Sequence, residues 1–89
     1  MSTSVDHNYP HAEDMTVLNA AGAPVEGVAV RVFSLAAYSA DDRDTWIAET
    51  ITDINGHWVT PAVLDDAMSY IVHFEKTTMY GPVTLEITT

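Results

Sequence analysis

Five aspartates fall in two short runs, Asp41 and Asp42 with Asp44, and Asp65 with Asp66. Carboxylate oxygens in that number suit a hard cation, and the chemistry they suggest is a Ca2+ site. The competing reading is a solvated acidic end that aids solubility. It is preferred, because neither run has the strict ligand spacing of a Ca2+ loop. A third acidic stretch, TDINGHWV at 52–59, places Asp53, Asn55 and Gly56 close together. A Ca2+ loop of the helix-loop-helix kind needs Gly at its sixth position and Glu at its twelfth. Counting from Asp53, Gly56 is fourth and Leu64 is twelfth, so the stretch is read as a turn. Asn and Gly between alternating runs is a strong hairpin signal, since both residues tolerate positive φ.

His7 and His11 are four apart, as two metal ligands on one helix face would be. Pro10 between them opposes a helix, so surface histidines are the better reading. His57 and His73 alternate with Trp58 and Phe74, which predicts imidazoles pointing outward into solvent. No Ser and His stand beside a Gly-rich elbow, and there is no cysteine to act as nucleophile or zinc ligand. An enzyme is not expected, and neither is a cofactor. Aromatic residues offer a different chemistry: Trp46, Tyr38 and Tyr80 would stack on sugars if exposed. Tyr9, His11, Met79 and Tyr80 are the candidate contacts to a protein partner, the first two on the polar N-terminus and the last two on a loop tip.

The elements that must position these residues are short and alternate with period two. Runs at 15–19 (MTVLN), 27–33 (GVAVRVF), 46–52 (WIAETIT), 57–60 (HWVT), 68–74 (MSYIVHF) and 82–88 (PVTLEIT) are separated by turn residues. In the second run Val28, Val30 and Val32 face one way, and Ala29, Arg31 and Phe33 the other. Six or seven such strands describe an all-β sandwich, with 61–67 as a loop and no convincing helix. Residues 35–38 either extend the second run or hold a short extra element. Residues 1–13 show no periodicity and are expected to form an extension, flexible or bound to a partner, ahead of a sandwich at 14–89. With strands running alternately up and down, both aspartate runs and the extension would share one pole.

Composition bounds the rest. Eighty-nine residues, 47% of them apolar, allow one domain with one core. Thirteen Asp and Glu face only Arg31, Arg43 and Lys76, for a formal charge of −10, which excludes direct binding to nucleic acid phosphates. So acidic a chain repels itself at low salt, and its low Lys content is that of a protein from a salt-loving host. No run reaches the roughly 18 apolar residues of a membrane span, and nothing resembles a signal peptide. Opening on its own Met, the chain is expected to be a small gene product made in the cytoplasm.

The signals also come in a telling order: GAPVEGVAV at 22–30, TDINGHW at 52–58, Leu64, then YIVHF at 70–74. In that order they resemble the prealbumin-like group of small sandwiches, the carboxypeptidase-regulatory-like and collagen-adhesin B-type domains. The resemblance spans about residues 15 to 75 and implies an Ig-like sandwich. Some collagen-adhesin domains carry a Lys–Asn isopeptide crosslink. Here the first strand has no Lys and the last no Asn, so none is expected. Relatives of this kind serve as adhesin stalks, accessory domains, sugar-binding modules and virion surface proteins. The expectation is a structural protein on a virion surface, a capsid decoration, turret or small tail subunit, that docks on other structural proteins as a homo-oligomer. The alternative is a carbohydrate- or surface-binding module, extracellular or at the cell surface within a larger protein. A ligand site between subunits, of transthyretin type, is a weaker third.

Overall fold

The computed structural model describes residues 1–9, 15–41, 44–77 and 79–89. Among the described residues six strands and one short helix follow in the order β1 (Ser2–Val5), β2 (Ala29–Ser34), α1 (Leu35–Ser39), β3 (Ala48–Ile51), β4 (Ala62–Asp65), β5 (Ser69–Lys76) and β6 (Tyr80–Thr88). They form two antiparallel sheets, one of four strands in the order β3-β2-β5-β6 and one of two, β1-β4. The molecule is an all-β sandwich with a wide layer and a narrow one.

The wide layer follows from alternation. Val30 and Val32 of β2 lie opposite Phe74 and Val72 of β5, and all four point into the core. The reverse face of β2 carries Arg31 and Phe33. Phe33 is nevertheless buried, because α1 folds over it and sets Tyr38 edge-on at 5.7 Å. The helix is short but capped: Ser34 Oγ accepts the Ala37 N–H at 3.1 Å. Residues 35–38, open between a strand extension and an extra element, are thus helical. One turn is too short to leave a periodic signature in sequence.

The narrow layer departs further from expectation. Residues 2–5, assigned to an extension, are a strand paired with β4, with Thr3 opposite Leu64 and Val5 opposite Ala62. Val5 is wholly buried and Leu64 nearly so. A single apolar residue suffices because only one face of a four-residue edge strand meets the core. The segment 61–67, expected as a loop, supplies β4 for the same reason: Ala62 and Leu64 alternate with exposed Val63 and Asp65. Residues 15–19 and 57–60 are not strands but take part in isolated bridges, Leu18 with Pro24 and Thr52 with Trp58.

The 53–56 turn joins the layers. Asp53 Oδ1 accepts the N–H groups of Asn55 at 2.9 Å and His57 at 3.1 Å. Of the two residues expected to take positive φ, only Gly56 does, at 73°. Gly56 also offers its carbonyl to the Val17 N–H at 2.9 Å. The turn delivers Trp58 to the core, where the indole lies edge-on to Phe74 and its Nε1–H donates to the Met15 carbonyl at 3.3 Å.

Candidate interaction surface

Two strands cannot cover four. Val83 and Leu85 of β6 stand opposite Phe74 and Val72, so their side chains lie on the core-facing side of the wide sheet. Each is nonetheless 42% exposed, while Ile87 on the same strand is buried. The difference is Tyr9, which packs on the core and donates its hydroxyl to the Thr88 carbonyl at 2.8 Å. Beyond Tyr9 the inner face is only partly covered by the described residues. Val83 and Phe74, with Met15, Val17 and Tyr80, line a cleft of about 140 Å3.

Among the described residues the edge of β6 is open as well. The Thr89 N–H donates to the Met68 carbonyl at 2.9 Å, which sets the phase of the β5–β6 ladder. Odd-numbered residues of β6 bond to β5, and Thr84, Glu86 and Thr88 turn their N–H and C=O groups to the free side. Pro82 falls in the outward phase, where its missing N–H costs the ladder nothing. The free side of β3, by contrast, is partly occupied: the Val59 N–H donates to the Ile51 carbonyl at 3.0 Å, and the Thr60 N–H to Thr50 Oγ1 at 3.0 Å.

The outer face of the wide sheet is polar. One row across it runs Glu49, Arg31, His73, Thr84. Arg31 Nε donates to Glu49 at 2.7 Å, and the guanidinium lies over the Trp46 ring, 4.3 Å from its centroid. Cation–π contact and ion pair together hold Arg31 in one place. His73 Nε2 lies 3.2 Å from Glu75, and its Nδ1 is buried without a partner. His73 is therefore half-buried rather than solvated. Arg31, Phe33, His73 and Glu75 line a cleft of about 220 Å3.

Of the three rings considered for sugar stacking, only Trp46 is exposed, since Tyr38 leans on Phe33 and Tyr80 packs on the core. Met79 is 68% exposed. Tyr9 faces its own chain, and His11 lies outside the described residues. Of the aspartates, Asp66 accepts a hydrogen bond from the Thr3 hydroxyl, Asp41, Asp44 and Asp65 are exposed, and Asp42 lies outside the described residues. Among the described residues no three His, Asp or Glu side chains come together to hold a metal ion.

His57 is half-buried too, stacked on His7 with centroids 3.9 Å apart and rings 5° from parallel. Asp53 lies beside them. Partial desolvation acts to raise its pKa, but the N–H donors of His57 and Asn55 and the two imidazoles outweigh it and hold the carboxyl below its ordinary 3.8. Nothing in the sequence signals the His7–His57 stack, whose members are far apart in the chain. For the open flank of β6 there is one sign: Pro82 at the head of the last run marks an edge strand.

Compared with protein-family models, curated proteins and solved structures, the chain matches none. Among the described residues no helix is long and apolar enough to cross a membrane.

Proposed function

We propose that this chain is a non-enzymatic structural module that docks on a larger protein assembly, specifically as a virion accessory protein such as a capsid decoration, turret or small tail subunit. The observation that supports it is the uncovered inner flank of β6, where Val83 and Leu85 are aimed at a core that stops short of them. Apolar side chains in that position gain about 25 cal/mol for each Å2 a partner removes from water. Exposed Met79 beside half-buried Tyr80 extends the apolar surface at the same end of β6. The finer fold type in this reading is the Ig-like, prealbumin-like sandwich, on the strength of the motif order alone.

The test is co-expression with the structural proteins encoded beside its gene, followed by isolation of particles. The chain is expected to remain on the particles in fixed stoichiometry, and Val83→Asp to release it. A folded chain that leaves every particle but binds glycans on an array would overturn the reading. That outcome would favour the carbohydrate-binding alternative, which retains Trp46 beside the Arg31–His73 cleft as its one exposed ring.

A further inference from the structure

We infer that the free edge of β6 pairs antiparallel with the same edge of a second copy of this chain, about a two-fold axis at Leu85. The inference rests on the docking reading and deepens it, by naming the first partner of the uncovered flank.

The register follows from which backbone groups are free. Thr84 and Glu86 each present an N–H and a C=O outward. With the axis at Leu85, Thr84 meets Glu86 of the second copy, and each exchanges both bonds with the other. One step further out, Pro82 meets Thr88 of the second copy. Such a pair ordinarily exchanges two bonds, but Pro82 has no N–H to give. The Thr88 carbonyl that would have received it is the one already taken by Tyr9. The missing donor and the occupied acceptor coincide, and the Thr88 N–H still reaches the Pro82 carbonyl.

The neighbouring registers fit worse. An axis at Glu86 sets the two Glu86 carboxylates directly opposite, which destabilises a sheet, and aims the Thr84 N–H at the occupied Thr88 carbonyl. An axis at Thr84 sets Pro82 against Glu86 and leaves the Glu86 carbonyl without a donor. With the axis at Leu85, each Glu86 faces a threonine on the outer side. On the inner side, Leu85 meets Leu85 of the second copy and Val83 meets its Ile87. Leu85 and Val83, which the narrow layer leaves uncovered, are thus brought to the seam, while Ile87 is already covered within its own chain. Natural edges are protected by Pro and charge. Here both devices sit where this one pairing tolerates them, and they still hinder pairing with other strands.

Because each copy carries a charge of −10, association should need salt to screen the repulsion. The chain has no cysteine, so one introduced thiol reads the register. Facing positions without mutual hydrogen bonds bring Cα atoms to about 4.5 Å, inside the span that a disulfide bridges. With copper phenanthroline in about 1 M NaCl, Leu85→Cys is expected to give a covalent dimer at least tenfold faster than Thr84→Cys or Glu86→Cys alone. Sedimentation equilibrium of the unmodified chain in the same salt should show a dimer. Thr84→Pro, which removes an N–H that β5 does not use, should raise the dimer Kd at least tenfold with thermal unfolding of the monomer unchanged. A monomer in high salt, with all three cysteine variants linking equally slowly, would overturn the pairing. If that monomer still joins particles as described above, only the pairing fails and the docking reading stands.

Discussion

Gly56 lies so close to Val17 that a β-carbon on the glycine would stand 2.4 Å from the Val17 carbonyl oxygen. The same carbonyl accepts the Val25 N–H at 3.1 Å, so it cannot retreat without breaking the bond that ties Val17 to Val25. Gly56→Ala therefore meets both a positive φ and a fixed oxygen, and is expected to destabilise the fold by about 3 kcal/mol. Gly22 has a similar φ of 81° but nothing within 4 Å of its would-be β-carbon. Gly22→Ala should cost only the conformational term, about 1 kcal/mol. Urea unfolding of the two variants separates the terms, and equal losses would refute the close contact.

Among the described residues Thr52 is the buried polar residue of the core, and its hydroxyl bridges two chain segments. It donates to the Val25 carbonyl at 2.7 Å and accepts the Val28 N–H at 2.9 Å. Thr52→Val keeps the shape and leaves that N–H unpaired, for an expected loss of about 2 kcal/mol. Thr52→Ser keeps the bonds and should lose about half as much. The reverse order in chemical denaturation would show that the methyl group, not the hydroxyl, holds the site.

Val5 tests whether the N-terminus belongs to the fold. Its side chain is fully buried, and Val5→Ala is expected to lower stability by about 2 kcal/mol. Deleting residues 1–5 should cost more, because Leu64 and Ala62 then lose their neighbours in the narrow layer. A truncated chain with an unchanged melting temperature would return those residues to the status of an extension.

Asp53 contributes to the acid limb of stability. Its folded pKa is depressed below 3.8, so the contribution is complete above that pH and is lost as pH falls through the folded value. Asp53→Asn keeps an oxygen to accept the turn N–H groups but does not titrate. Its melting temperature should therefore fall less than the native chain's between pH 4 and pH 2, which thermal scans across that range would show.

Salt should stabilise the folded chain. Going from about 0.01 M to about 1 M shrinks the screening length from about 30 Å to about 3 Å. The longest dimension of the molecule is 34 Å, so at low salt all of its charges sense one another. A rise of roughly 1–2 kcal/mol is expected, with most of it below physiological ionic strength. A flat melting curve across the series would mean that the carboxylates are already compensated.

Elements with several alternating apolar residues could be read directly from sequence: β2, β5 and β6 lie within three residues of their expected limits. The short pieces could not. In β1 and β4 only Val5, Ala62 and Leu64 carry the burial, and nothing local distinguishes STSV or AVLD from loop. Their pairing spans about sixty residues, and a one-dimensional pattern does not contain that information. The turn at 53–56 was legible because its chemistry is local, from the Asp53 carboxylate to the Gly56 φ. The interaction surface was legible least of all. Val83 and Leu85 look like core residues in sequence, and in their orientation they are. Their exposure comes from the number of strands in the opposite layer.

The bond from Tyr9 to the Thr88 carbonyl closes nearly the whole chain into one loop. A chain made from its N-terminus has its first strand long before β4 exists to receive it, and Tyr9 waits for the last strand of all. Contacts this distant in sequence slow folding, because the entropy of closing the loop is lost before any contact compensates it. Both strands of the narrow layer exist before β5 and β6 are made, so the clasp of Tyr9 on the end of β6 is the contact that must close last.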